Sequence, residues 1–319
     1  MKSLKKVVIF GGGTGLSQIL KGLKLFPVDV TAIVSVADNG RSTGKLRNEL
    51  NIPAVGDISK VLLAMSNSSD DVKKLMNYRF SGNELEKHSI KNLILAALLQ
   101  QTGSFKNSVP ILAKMLEVNG TVLPITEENV NLVGITKKGE KIFGEEQITA
   151  DSHKITNIEY DKEVSISSSI ERVIKNADLI IFSSGSLLTS ITPNLIVKGV
   201  PEAINNSKAK KLYVCNLVTQ PGETDKFKVS DHIKYLEKYL GPKSIDAVVA
   251  NNGEISKYLA KKYATLEQKD PVKLDEAKLE KMNVEVIGDK IWTVENNVLR
   301  HDSLKTSYLI FSYIMNNEK

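Results

Sequence analysis

The sequence predicts an α/β chain built on a mostly parallel sheet, with a small β-rich insertion over 120–160. Three observations carry this. Val7-Val8-Ile9-Phe10 is a continuous apolar run of β formers, the pattern of a strand buried on both faces. It is followed by Gly11-Gly12-Gly13-Thr14-Gly15 and then by Leu16, Ile19, Leu20 and Leu23 at helical spacing. Further apolar runs at 29–36, 178–182, 211–215 and 245–250 each end in a loop of small or polar residues before a helical stretch. Between 120 and 160 this rhythm breaks. Short β-prone pieces at 130–136, 141–143 and 155–160 are separated by turn signals such as Lys138-Gly139-Glu140.

A chain of 319 residues with 41% hydrophobic content can bury a sizeable core, and it reads as one α/β unit over 1–319 with the insertion inside it. The insertion is too short to bury much core alone. The net charge of +6 comes from lysines spread along the chain, such as Lys137-Lys138, Lys210-Lys211 and Lys261-Lys262. There is no arginine-rich or aromatic-interleaved patch, which argues against a nucleic-acid partner. Neither a signal peptide nor an apolar run long enough to span a bilayer is visible, so a cytoplasmic location is expected. The single cysteine, Cys215, sits inside an apolar run and reads as a buried strand residue.

The opening glycine loop suits a phosphate. Glycines let a ligand approach the backbone, and a helix N-terminus offers free N–H groups and a positive dipole end. No Gly-Lys-Ser/Thr follows, so the loop itself carries no P-loop lysine. Nor is it a G-x-G-x-x-G fingerprint, whose last glycine would fall on Leu16 or Gln18. A tight turn that only packs helix on sheet is the alternative reading.

The second strand runs into Ala37-Asp38-Asn39-Gly40-Arg41-Ser42-Thr43-Gly44. Asp38 stands about where a dinucleotide-binding acid would hold a ribose, the one argument for a nicotinamide-dependent oxidoreductase. Arg41, Ser42 and Thr43 suit an anion. Gly56-Asp57 opens a helical segment, with Asp57 either its N-cap or, with Asp38, an oxygen ligand for Mg²⁺.

Helices follow around 61–65, 72–76 and 93–99, and 92–101 is apolar almost all round, predicting a buried helix. Three of the five arginines, Arg41, Arg47 and Arg79, lie within the first 80 residues. His88 precedes the apolar helix, where it can cap, bind phosphate or act as an acid or base. Four histidines without a paired spacing argue against zinc.

After the insertion, Gly185 and Ser186 lie in a second small-residue loop, which lacks the G-x-S-x-G spacing of a hydrolase. Asn216, Thr219, Gln220 and Glu223 follow a buried strand and are suited to bases and sugars. The strand at 245–250 ends in Asn251-Asn252-Gly253, while 265–278 reads as a polar surface excursion. In an open parallel sheet all the strand-end loops gather on one edge, where ligands bind.

In order along residues 5–255, the chain resembles the gluconeogenesis factor family (UPF0052), related to the CofD-like 2-phospho-L-lactate transferases. The resemblance rests on Gly11 through Gly15, Val36-Ala37-Asp38, Gly44-x-Leu46-Arg47 and Gly56-Asp57-Ile58. It continues through Tyr78-Arg79-Phe80, His88-Ser89, Gly185-Ser186-Leu187-x-Thr189-Ser190, Pro193-Asn194-Leu195 and 216–224.

The resemblance implies a Rossmann-like three-layer sandwich that binds a nucleotide or nucleotide sugar. In the transferase branch this means Mg²⁺-dependent phospholactyl transfer from a nucleoside diphosphate carrier. In the gluconeogenesis factor branch it means a regulatory role in cell shape and wall-precursor supply, with a UDP-sugar such as UDP-N-acetylglucosamine as ligand and no established reaction. Candidate nucleotide-binding residues are then Gly11, Gly12, Gly13, Thr14, Gly15, Arg41, Ser42, Thr43, Gly185, Ser186, Asn216, Thr219 and Gln220. Asp38, Asp57, Arg79, His88, Asn92 and Glu223 are candidates for a polar site.

The chain departs from the family where it has Asn39 in place of a second acid and Ser59-Lys60 in place of Arg-Asn. It carries Lys91 where the family has glycine, and Ser183-Ser184 where it has Gly-Pro. The lost acid weakens the case for Mg²⁺ at Asp38 and Asp57, and Lys60 and Lys91 are candidates to supply positive charge instead. A regulated protein partner and a homo-oligomer remain open.

Overall fold

The computed structural model describes residues 3–82 and 85–317, except the side chain of Arg41. The expected strands β1 (Lys5–Gly11) and β2 (Val28–Val34) form, and β3 (Thr121–Pro124) follows them. An antiparallel trio β4 (Leu132–Thr136), β5 (Lys141–Phe143) and β6 (Ile155–Tyr160) follows. Then come β7 (Leu179–Phe182), β8 (Lys210–Val214), β9 (Ala247–Asn251) and β10 (Glu285–Asp289), and a hairpin of β11 (Trp292–Glu295) and β12 (Val298–His301).

Seven strands make one parallel sheet in the order β10-β9-β8-β7-β1-β2-β3. From the central β1 the chain winds outward through β2 and β3, then returns to β7 on the other side of β1 and winds the opposite way. The topological switch point therefore lies between β1 and β7, where open α/β sheets bind ligands.

Helices α1 (Thr14–Leu23), α2 (Arg41–Leu50), α3 (Gly56–Met65), α4 (Asp70–Asn77), α5 (Ile90–Thr102) and α6 (Phe105–Met115) precede β3. Helix α7 (Glu145–Ala150) lies in the antiparallel segment. Then come α8 (Ser168–Lys175), α9 (Thr192–Leu195), α10 (Val200–Asn206), α11 (Val229–Leu240), α12 (Lys257–Glu267), α13 (Glu276–Lys281) and α14 (Ser303–Asn316). Helices α1, α3 and α14 pack together as one layer, and α8, α10 and α11 as another. Val7 through Phe10 are at most 2% exposed between them, as a strand covered on both faces requires.

Three expectations change. The segment 121–124 joins the main sheet, so the β-rich segment begins after it. Its small core is not its own: Leu132, Ile148 and Ile158 pack with Ala37 beyond β2 and Leu188 beyond β7. Helix α5 keeps one side open, with Ala97 and Gln100 exposed, because α2, α3, α4 and α6 cover the rest of its circumference. The stretch after α12 is no free excursion. Pro271 and Lys273 bridge to Val218 and Lys228, and the Thr219 N–H donates to the Asp270 carbonyl at 2.8 Å.

Candidate functional site

At the switch point, a cavity of about 580 Å³ opens between the loops that follow β1, β7 and β8. Gly13, Thr14 and Gly15 form one wall, Ser184, Gly185 and Ser186 a second, and Asn216, Gln220 and Glu223 a third. Asp38, Asp57 and Lys60 enter from the β2 side, Glu145 from the insertion, and Tyr263, Arg300 and His301 from the C-terminal part.

The glycines are needed for space rather than for turning. Gly11, Gly12, Gly13 and Gly15 all lie outside the positive-φ set. A Cβ on Gly15 would stand 1.9 Å from the Ser184 carbonyl oxygen, so β-carbon-free backbone is what lets the β1 and β7 loops touch. One on Gly13 would stand 2.0 Å from Asp57 Oδ1 and 2.7 Å from Lys60 Nζ. Gly11 and Gly12 sit behind the cavity, against Ser183 and Ser190, which makes them packing residues.

Asp57 lies inside the first turn of α3, whose N-cap is Val55, so it does not cap that helix. Its carboxylate turns to the glycine loop instead, accepting from the Gly13 N–H, with Lys60 Nζ 3.4 Å away. Burial, reinforced by nearby Asp38, pushes Asp57 up to about 6 against the pull of Lys60. Glu145 is pushed up to about 8 by burial and then by Asp38 and Asp57. Three carboxyls therefore face one space, and burial and mutual repulsion hold Asp57 and Glu145 toward their neutral forms.

A built Mg²⁺ site is a different matter. Asp38 Oδ1 accepts from the Gly40 N–H at 2.8 Å, and Asp57 Oδ1 is engaged by Lys60. Among the described residues no three His, Cys, Asp or Glu side chains are grouped to hold a metal. The donor set is chemically hard enough for Mg²⁺, but its geometry does not fit a protein-built ion site.

The β7 loop is held from the β8 side. Gly185, at φ +150°, donates its N–H to Asn216 Oδ1 and accepts from Asn216 Nδ2, each at 2.8 Å. Glu223 accepts from Ser186 Oγ at 2.7 Å and from the Leu187 N–H, and burial pushes it up to about 7. With its amide nitrogen turned inward, Gln220 donates to both Glu223 oxygens at 2.9 and 3.1 Å.

Other candidates lie elsewhere. Ser42 and Thr43 are buried on α2, and Arg41's side chain is outside the described residues. Thr219 Oγ1 accepts from the Asp270 N–H at 2.9 Å and Arg47 clamps Asn129 and Val130, so both are structural. The Arg79 guanidinium donates to the Lys87 carbonyl at 2.6 Å. His88 is buried, with burial lowering its pKa, and Ser89 rather than His88 takes the N-cap of α5. Asn92 accepts from Ser59 Oγ at 2.6 Å and so braces α3 from behind. Lys91 donates to Asn77 Oδ1 at 2.7 Å. The loop 251–253 lines a separate cavity with 271–274, because β9 lies three strands from β1.

Sequence reasoning missed Glu145, Tyr263, Arg300, His301 and Gln18. The last carried a signal: a polar residue between Leu16 and Ile19, on what should be the buried face of α1. Gln18 Nε2 donates to Glu295 Oε1 at 2.9 Å and to the His301 carbonyl at 3.0 Å, tying α1 to the C-terminal hairpin.

A family model described as 2-phospho-L-lactate transferase CofD matches residues 7–292. The chain belongs to the CofD family. Within it, this CofD-family chain is similar to the gluconeogenesis factor of Bacillus subtilis, 44% identical over 96% of this chain and 96% of that protein. The gluconeogenesis factor of Halalkalibacterium halodurans is 41% identical over 96% of this chain and 95% of its own length. A crystal structure of a UPF0052 family member from Bacillus halodurans superposes with a TM-score of 0.91 at 40% identity, covering 96% of this chain and 99% of that one. The CofD-family fold is thus the Rossmann-like α/β sandwich with flanking helices. Among its described residues no helix is long and apolar enough to cross a membrane.

Proposed function

We propose that this gluconeogenesis factor relative is a cytoplasmic nucleotide-sugar-binding regulator, with UDP-N-acetylglucosamine as the ligand class, acting on cell shape and wall-precursor supply. The observation that carries the reading is the joint wall of the switch-point cavity. The N-terminus of α1 and the β1 and β7 loops meet there, and the amide and carboxyl groups of Asn216, Gln220 and Glu223 stand opposite. The first group suits a diphosphate, and the second suits a sugar or base. The volume of about 580 Å³ is in the range that small-ligand sites occupy.

A thermal-shift panel of UDP-, GDP- and ADP-sugars, with and without Mg²⁺, tests it. Stabilisation by a UDP-sugar above the other two is the expected result, and no shift with any nucleotide sugar contradicts the reading.

The second reading is Mg²⁺-dependent phospholactyl-type transfer, favoured by Asp38 and Asp57 sharing the cavity with the glycine loop. It needs both acids to hold the ion at a diphosphate. If Asp57→Ala leaves metal and nucleotide binding intact, this reading fails. The poor fit of the two acids to a built ion site places it second.

A further inference from the structure

The glycine loop carries no lysine of its own, yet the fold brings one to it from another helix. Lys60 stands in the second turn of α3, and its Nζ reaches back to the start of α1. It donates to Thr14 Oγ1 at 3.3 Å and to Asp57 Oδ1 at 3.4 Å. A Cβ on Gly13, the N-cap of α1, would lie 2.7 Å from that Nζ. The ammonium therefore sits directly beside the free N–H groups of a ten-residue helix, inside the cavity wall. Its side chain keeps 43% of its surface exposed, so the charge is solvated and accessible rather than locked in a buried pair.

We propose that Lys60 serves as the cation for the ligand's diphosphate, at the place where a divalent ion would otherwise bridge, so that ligand binding is independent of divalent metal. The proposal rests on the nucleotide-sugar reading and names how the same site neutralises its ligand. An ammonium has three donors in a rotatable cone. Two are directed at Thr14 and Asp57, which leaves the third for a phosphate oxygen arriving beside them at the first turn of α1. Asp57 does double duty, accepting from Gly13 and fixing the Lys60 head group. A divalent ion placed on Asp57 would stand beside the ammonium and be repelled by it.

Calorimetric titration of the chain with UDP-N-acetylglucosamine, in EDTA and in excess Mg²⁺, tests this. The dissociation constant should agree between the two buffers. Lys60→Met should weaken binding by about tenfold or more in EDTA, the loss of one charge-assisted bond, and regain part of it in Mg²⁺. Lys60→Arg, which keeps the charge and is compared by its melting curve for intact folding, should bind within a few-fold of the parent.

Binding by the unsubstituted chain that appears only with Mg²⁺, or a Lys60→Met variant that folds and binds normally in EDTA, overturns the proposal. Inorganic pyrophosphate is the second probe. If it binds in EDTA in a Lys60-dependent way while the nucleotide sugar does not bind, the nucleotide-sugar reading fails and the role of Lys60 stands. If neither probe binds in EDTA, the role of Lys60 is overturned.

Discussion

Asn216 and Gly185 hold each other through both ends of one side-chain amide, with the N–H of Gly185 on Oδ1 and its carbonyl on Nδ2, each at 2.8 Å. Gly185 has φ +150°, a conformation other residues rarely adopt, so the pair fixes a backbone shape that nothing local would select. Two strands that are neighbours in the sheet but 31 residues apart in sequence thereby share one rigid wall of the cavity.

Asn216→Ala leaves both Gly185 backbone groups without a partner. Gly185 is only half-buried at the cavity edge, where water takes up part of each loss, so a total of about 1–3 kcal/mol is expected, together with weaker ligand binding. Chemical denaturation and ligand titration of the variant check both.

Gly15→Ala and Gly13→Ala should separate stability from binding. At Gly15 the new methyl meets the Ser184 carbonyl at 1.9 Å, which is backbone and cannot swing away, so the β1 and β7 loops are forced apart. A loss of about 2–3 kcal/mol or more is expected. At Gly13 the obstacles are the tips of Asp57 and Lys60, which can move. Its stability loss should stay below about 1.5 kcal/mol, while ligand affinity falls because those two groups leave their places. Denaturant midpoints set against titrated affinities distinguish the two patterns.

Stability should vary with pH in a defined direction. Burial raises Glu145 to about 8, Glu223 to about 7 and Asp57 to about 6, all above their usual values. An acid raised on folding contributes most when protonated, so its share is lost as pH rises through the folded value. His301 is lowered by burial to about 4, so its share is lost as pH falls below its ordinary value toward 4. The melting temperature should therefore climb as pH drops from about 8 toward about 4.5, because three raised acids outweigh one lowered histidine, and level off below that. Glu145→Gln should flatten the climb, most clearly between about pH 8 and 7 where Glu145 alone titrates, as read by melting curves across pH.

Ile148→Ala probes the seam between insertion and site. Ile148 is fully buried with Leu132, Ile158, Ala37 and Leu188, the last two belonging to the β2 and β7 ends. Loss of its side chain costs about 2–4 kcal/mol and should also lower ligand affinity, since Glu145 and Leu188 lose a common support. A variant that loses stability but binds unchanged would show that the insertion is only a passenger.

Much of the fold was readable in the sequence because its signals are local. The apolar runs that became β1, β7, β8 and β9 announce buried parallel strands, and 132–160 announces itself by its turns. The cavity was readable where a loop follows a strand directly, as at Gly13, Gly185 and Asn216. It was unreadable where tertiary contacts choose among equal-looking residues. Lys60 and Lys91 look alike in sequence, yet only Lys60 reaches the glycine loop, since Lys91 is tied to Asn77. Asp57 looked like a helix cap, but the N-cap of α3 is Val55, two residues earlier, and the carboxylate turns across to Gly13. Glu145 and Arg300 lie far in sequence from the loops they face, on α7 and β12, and only the packing of those elements beside the main sheet brings them there.

The most direct measurement is a calorimetric titration of the chain with UDP-N-acetylglucosamine, run beside the Asn216→Ala variant. Saturable binding at a single site, clearly weakened in the variant, is the expected result. An absence of heat up to about millimolar ligand, or equal binding by the variant, would contradict a nucleotide-sugar site at the switch point.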